Sequence, residues 1–187
     1  RAFSDPRRFG YDYIELWGGF PHAYVEDLKK NGTAHIRALI DKYNIPVECF
    51  TPEHNAYPFN YMTGDEDQWD RSMKYLEDAI DITSEIGAEK MLFSAGHAGY
   101  QMSERDISAR LIKSLKRLSS YAEQKNVTLI LEPLTIYESN TIFSLRDLER
   151  ALTEVDHKNL AGMCDLAVPF TTGEPASEYV TRLGSKF

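Results

Sequence analysis

Short apolar runs rich in β-branched and aromatic residues recur along the chain at intervals of roughly 30–45 residues, each of strand length. They are "YDYIELWG" (11–18), "IPVECFTP" (45–52), "EKMLFSAG" (89–96), "VTLILEPL" (127–134) and "LAGMCDLAVP" (160–169). Between them the apolar positions follow a helical period. Trp69, Met73, Leu76, Ile80, Thr83 and Ile86 share one face, and Gly87 suits the position just past a helix C-terminus. Ile107, Leu111, Leu115, Leu118 and Ala122 form a second stripe, and Leu148, Ala151, Leu152 and Val155 a third. Ser103 with Asp106, and Ser144 with Asp147, resemble capping boxes at the starts of these two helices, with Asp where Glu is usual. A shorter helix is predicted over 33–43, and "EPASEYVTRLG" (174–184) begins another after the last strand.

Strands apolar on both faces, alternating with amphipathic helices, predict a parallel α/β sheet covered by helices. No G-x-G-x-x-G or Walker pattern follows any strand, which argues against the dinucleotide and P-loop variants. Polar residues of catalytic type instead gather where each strand ends: Glu15 and Trp17; Glu53, His54 and Asn55; Ser94 and His97; Glu132 and Glu138; Asp165. Contributions from every strand favour a (β/α)8 TIM barrel, whose active face is the C-terminal end of its strands, over a doubly wound sheet with a single switch point. Eight βα units need roughly 250 residues, and this chain supplies about five. A five-stranded arc would leave two long edges and an uncovered apolar face. The expectation is one TIM-barrel domain over 1–187, incomplete at both ends, lacking one strand at the front and two at the back.

The 187 residues, 42% of them hydrophobic, suffice for one sizeable core. A net charge of -8 disfavours nucleic acid, whose binding rests on Lys and Arg displacing counterions. No apolar run approaches the roughly 20 residues that span a bilayer. Two cysteines, Cys49 and Cys164, sit in apolar stretches and read as reduced thiols of a cytoplasmic protein.

Glu132 is the leading candidate for chemistry. A carboxylate directly after "VTLIL" loses solvation and needs a proton, hydrogen bonds or a cation in return. That cation is either a neighbouring Lys or Arg or a metal. Asp165 on the next strand is its natural partner, because adjacent strands lie about 4.8 Å apart and two strand-end carboxylates can share a divalent ion. Oxygen donors point to Mn²⁺ or Mg²⁺, and an added His would admit Co²⁺ or Zn²⁺. His97, in the small-residue loop "SAGHAGY", is either a substrate contact or a loop histidine bonded to a carbonyl. Trp17 is either an apolar wall for a ligand or ordinary core. Glu138 is either an acceptor for a substrate hydroxyl or a solvated loop charge. Tyr57 and Asn60 lie in the polar-aromatic loop "TPEHNAYPFNYMTGDE", of the kind that covers a barrel mouth, and are candidate substrate contacts.

Taken in order, "GYDYIELWGGFPHAY", "TPEHNAYPFNYMTGDE", "SAGHAGY", "LILEPLTIYESN" and "CDLAVPF" resemble the xylose-isomerase-like sugar isomerase and epimerase superfamily over essentially the whole chain. Within it the combination is most similar to the fructoselysine 3-epimerases, and more distantly to ketose 3-epimerases acting on tagatose and psicose. The resemblance implies a divalent metal, usually manganese, held by Glu, Asp, His and Glu. Glu132 matches the first ligand and Asp165 the second. The other two would fall beyond Phe187, so the 187-residue stretch by itself is expected to be inactive. In the family the first and last ligand glutamates also act as the acid/base pair. Glu138 matches a substrate-binding glutamate, and Trp17 an aromatic wall of the sugar pocket. Val168 stands where the tagatose and psicose enzymes carry a substrate-contacting His, a departure that argues against a simple free ketohexose.

The activity so implied is 3-epimerisation of a ketose or fructosamine through an enediolate. Removing a proton beside a ketone creates a negative oxygen that a cation stabilises, and two carboxylates on opposite faces exchange the proton. The partners implied are a small sugar or sugar-amine and, as in relatives, a second copy of the chain in a homo-oligomer. Nucleic acid and membrane are not among them. An aldose-ketose isomerase uses the same enediolate and stays open. An apurinic-site endonuclease of the same superfamily would need three metals, many His and a basic groove, against five His and the acidic balance found here. A sugar-binding barrel without catalysis remains a third reading.

Overall fold

The computed structural model describes residues 1–55 and 58–187. Its elements run α1 (Ser4–Arg8), β1 (Ile14–Gly18), α2 (Val25–Asn31), α3 (Ala34–Tyr43), β2 (Val47–Pro52), α4 (Glu66–Glu85), β3 (Lys90–Ser94), α5 (Glu104–Gln124), β4 (Thr128–Glu132), α6 (Leu145–Val155), β5 (Leu160–Gly162), α7 (Ala167–Thr172) and α8 (Ala176–Leu183), followed by a 3₁₀ turn at Gly184–Lys186. All five strands pair in parallel, and their order in the sheet is their order in the chain. Sequential order has no reversal point, which sets aside the doubly wound alternative and leaves the progression of a barrel wall. No helix among the described residues is long and apolar enough to cross a membrane.

The strand pleat sorts side chains onto two faces. Phe50, Met91, Phe93, Leu129, Leu131 and Leu160 are essentially sealed beneath the helices. Their register partners agree: Met91 pairs with Leu129, Leu129 with Leu160, and Leu131 with Gly162. The opposite face carries Glu15, Trp17, Cys49, Lys90, Ile130 and Glu132, each partly or well exposed. A register shift between Ile14 and Glu15 inserts Glu48 as a bulge in β2, so that Val47 and Phe50 both still point into the core.

The predicted helical stripe of α4 is the buried one: Met73, Leu76, Ile80 and Thr83 have no exposure, and Gly87 follows with φ of +79°. The two serine caps form differently from the expected boxes. Ser103 Oγ accepts from the Asp106 amide at 3.2 Å but donates to the Asp106 carboxylate at 2.7 Å, and Ser144 with Asp147 does the same at 3.2 and 2.6 Å. Aspartate is one methylene too short to reach back to the cap amide, so the carboxylate takes the hydroxyl proton instead. Asp65 supplies a helix start that the pattern did not announce, capping α4 through the Gln68 amide, while the helix expected in "EPASEYVTRLG" forms as α8 after Pro175.

Two expectations are corrected. Glu15 and Trp17 lie within β1, not after it. The run 160–169 is not one strand: β5 stops at Gly162, and Ala167–Thr172 is helical, with Pro169 in the first turn where its missing N–H costs little. Leu166 and Phe170 consequently point outward, 70% and 89% exposed.

Gly162 is required by packing. A Cβ there would come within 2.9–3.2 Å of three Leu148 side-chain atoms, and Leu148 is sealed in the core of α6. Gly162→Val is expected to destabilise the fold by about 1–3 kcal/mol. Ala161→Val, on the other face, should stay within about 0.5 kcal/mol. Urea denaturation of the two variants checks this.

Candidate active site

Because all strands run the same way, their C-terminal ends share one edge of the sheet, and a cleft of about 180 Å³ opens there. Trp17, Thr51, Glu53, His54, Asn55, Ser94 and Glu132 are among its lining residues. Glu132 is the last residue of β4 and lies in register with Ser94 of β3. Its carboxyl is pushed up to about 7, first by burial and then by the negative charges of Asp165, Glu15 and Glu138. Asp165 sits three residues past β5, and its Oδ1 accepts from the Ala167 amide at 2.9 Å at the start of α7. Asp165, Glu15 and Glu138 thus lie near enough to act on Glu132, which alone of the four lines the cleft, and none of the four forms an ion pair among the described residues. The paired carboxylates lie elsewhere, as where Lys29 bridges Asp78 and Asp81, or Arg117 bridges Asp70 and Glu77. The first expectation for Glu132, a rim Lys or Arg, therefore has no counterpart among the described residues.

Glu132 and Asp165 are hard oxygen donors under uncompensated negative charge, a chemistry that suits a divalent cation. They are two donors, and no group of three or more His, Cys, Asp or Glu disposed to hold a metal occurs among the described residues. Donor type fits such an ion, while two side chains are fewer than a full coordination set.

The other expected contacts separate. Trp17 is 52% exposed, so it is no core residue; it lines the cleft and donates from Nε1 to Glu53 Oε2 at 3.2 Å. Asn60 is occupied by the protein itself. Its Nδ2 donates to the His97 carbonyl at 2.8 Å, and its Oδ1 accepts from the Met62 amide at 3.0 Å. His97 takes the Gly99 amide on Nδ1 at 2.9 Å, meets Tyr100 edge-on, and is not among the residues lining the cleft. Glu138 turns back on its own loop, where Oε2 accepts from both the amide and the hydroxyl of Thr135 at 3.2 and 2.7 Å. Tyr57 lies outside the described residues. Val168 is fully buried in α7 and offers nothing to the cleft.

Two motifs that stand apart in sequence prove to be one structure. Ser139 donates to the Gly96 carbonyl at 2.6 Å, and Asn140 bonds both the Ala98 amide (2.8 Å) and the Gly99 carbonyl (2.7 Å). The loop after β4 therefore holds the loop after β3. Arg110 of α5 secures the loop after β2 through the carbonyls of Tyr61 and Thr63 at 2.9 and 3.0 Å.

His54, in the polar cluster after β2 but assigned no role by sequence, proves central. It is 5% exposed, stacks on Tyr61, and its Nε2 accepts the Ser94 amide at 3.1 Å. Tyr61 donates to the Ser94 carbonyl at 3.0 Å, so the peptide units on both sides of Ser94 are held by side chains. The Ser94 hydroxyl in turn donates to Asn55. Its neighbour in sequence spacing gave only the polar cluster, since a buried histidine and a solvated one look alike in a single sequence.

Burial holds the His54 imidazole down to about 4, against 6.5 for the free side chain. The unfolded chain binds a proton there between those values and the native state does not. This contribution is therefore absent above pH 6.5 and destabilises progressively as pH falls toward 4. At pH 5 it amounts to about 2 kcal/mol. His54→Asn is expected to lower stability at pH 7.5 yet flatten the acid limb by that amount, read from urea midpoints between pH 7.5 and 5.

Comparison with known proteins bears on the chain as a whole. A family described as xylose isomerase-like TIM barrel matches residues 3–186. Fructoselysine 3-epimerase of Shigella flexneri is 43% identical over 185 residues, 99% of this chain and 67% of that protein, and the enzyme of Escherichia coli O157:H7 matches equally. Among solved structures, D-allulose 3-epimerase from Methylomonas sp. in complex with D-allulose superposes with a TM-score of 0.82 at 19% identity, covering 99% of this chain and 62% of that one. Apo 3-keto-D-glucoside 4-epimerase from E. coli gives 0.81 at 17% identity, covering 100% and 72%. At such identities the solved structures speak for the fold alone.

Proposed function

The chain belongs to the xylose isomerase-like TIM-barrel family, and from that premise we propose that it acts as a sugar epimerase inverting C3 of a ketose or fructosamine. The observation that carries this reading is Glu132, seated in the strand-end cleft within electrostatic reach of Asp165, Glu15 and Glu138, with no ion-pair partner for any of the four among the described residues. Such a site is complementary to a divalent cation and a polyhydroxylated substrate. The 43% identity to fructoselysine 3-epimerases, over 99% of this chain, supports the same activity.

In this reading Glu132 and Asp165 contribute two ligands to a divalent ion, Mn²⁺ in the first instance. When bound, that ion supplies the positive charge that stabilises an enediolate oxygen. Glu132, fixed at the end of β4 in register with Ser94, exchanges the C3 proton on one face of the sugar, and a second acid/base group serves the other face. Trp17 offers its indole as an apolar wall against the ring of the sugar. The loops after β3 and β4, bonded to each other through Ser139 and Asn140, keep the rim in place. A cytosolic setting and a homo-oligomeric state complete the proposal, the former in keeping with two unpaired cysteines. The acidic cleft speaks against an apurinic-site endonuclease, which would have to hold a polyanion there.

The test incubates the full-length, Mn²⁺-loaded protein with ketoses and fructosamines in D₂O. Deuterium at C3 of recovered substrate is the expected outcome, whereas deuterium at C1 would mark an aldose-ketose isomerase. Glu132→Gln is expected to slow the exchange by about 100-fold or more and to weaken Mn²⁺ binding in calorimetry. Unchanged metal affinity in that variant would remove Glu132 from the ligand set.

A further inference from the structure

The proposed proton transfer leaves one carboxylate of the cleft without a task. Glu53 directly follows β2, and its backbone carbonyl accepts from Tyr75 Oη at 2.7 Å. Tyr75 is buried and stacked on Phe59 with ring centroids 3.9 Å apart, which ties the Glu53 main chain to the core. The Glu53 side chain is exposed, and the indole N–H of Trp17 steadies Oε2 at 3.2 Å. Gly19 makes room for that indole, since a Cβ there would lie 2.3 Å from its ring atoms. The pair is therefore built: backbone anchored from below, carboxylate oriented from the side, aromatic ring lodged over a glycine.

Its surroundings define what it would recognise. No Lys or Arg is found among the cleft's described lining residues, and Glu53 has no ion pair among the described residues. His54 beside it is neutral at working pH, because burial holds its imidazole down. A sugar hydroxyl would be served as well by Asn or Ser. An exposed carboxylate beside a half-exposed indole is instead complementary to an ammonium group, which gains from the charge and from the ring face together.

We propose that Trp17 and Glu53 form an ammonium-recognition subsite that makes this cleft select ketoses carrying a protonated amine over neutral ketoses. The inference rests on the epimerase reading, and it assigns the selectivity to two side chains outside the proton-transfer machinery.

The test compares a 1-alkylamino-1-deoxyketose with the corresponding neutral ketose on the full-length, Mn²⁺-loaded protein. Both kcat/KM for epimerisation and calorimetric binding are measured for the wild type, Glu53→Gln and Trp17→Leu, with thermal melts to establish folding. Glu53→Gln is expected to reduce kcat/KM for the amine substrate at least tenfold, through KM, and to leave the neutral ketose unchanged; added salt should weaken amine binding in the wild type more than in the variant. Trp17→Leu should weaken the amine more than the neutral sugar. Equal losses on both substrates, or none, would overturn the subsite, because a hydroxyl acceptor or a purely structural carboxylate would behave so. The two readings fail separately. Without turnover of any ketose, selective loss of amine binding in Glu53→Gln keeps the subsite and removes the reaction. With turnover but no selectivity, the reaction stands and the subsite falls.

Discussion

Parallel pairing in strict chain order is the constraint on which everything else in this molecule depends. Each strand enters the sheet in the same direction, so each leaves it on the same edge, and whatever residues follow are brought together whether or not they attract one another. Glu132 and Asp165 illustrate this. Nothing local would bring two carboxylates within electrostatic reach of each other; the sealed rows of Met91, Leu129 and Leu160, and of Phe93 and Leu131, align β4 and β5 so that Glu132 ends one strand and Asp165 follows the other on the same edge. The helices contribute the apolar layer against those rows, and Gly162 shows how closely α6 sits on β5.

That enforced proximity has an electrostatic signature. The chain carries a net charge of -8, yet its charges are not distributed evenly between partners. On the helical exterior acids and bases neutralise each other, with Lys29, Lys74, Arg117 and Lys125 each engaged by carboxylates of α4. At the strand ends the acids stand without basic partners among the described residues, and burial raises Glu132 further. Such exterior pairs add little stability each, but they leave the cleft free of competing lysines and arginines. A partly buried carboxylate with no basic partner among the described residues is the physical reason to look for a cation that comes from outside the chain.

Much of this was legible in the amino-acid order, and the limits have identifiable causes. The stripe from Trp69 to Ile86, the caps at Ser103 and Ser144, and the strand ending at Glu132 are each written in a local period or a short motif, and the structure contains them. Helix α2 was missed because "VEDLKKN" has only Val25 and Leu28 facing inward, too few to set up a period. The bulge at Glu48 was hidden because an insertion in one strand is visible only against its neighbour. Among candidate contacts, residue type suggested ligand binding for Asn60 and Glu138, but their hydrogen bonds go to His97, Met62 and Thr135 of the protein itself. A polar loop residue has the same appearance in sequence whether its partner is a substrate or a backbone amide.

His54 shows why the divide between scaffold and chemistry is not sharp at this edge. Its imidazole accepts the Ser94 amide, Tyr61 donates to the Ser94 carbonyl, and Ser94 is the register partner of Glu132. Strand β3 thus ends on side-chain hydrogen bonds at the level where β4 presents its carboxylate. Replacing those side chains would first loosen the end of β3, and through it the neighbour against which Glu132 is placed. Glu53, one residue earlier in the chain, faces the other way, toward solvent and Trp17. Two consecutive residues after β2 therefore divide the work, one turned inward to hold the rim and one outward to meet what enters it, a division that the alternation of a strand end imposes on any pair of neighbours.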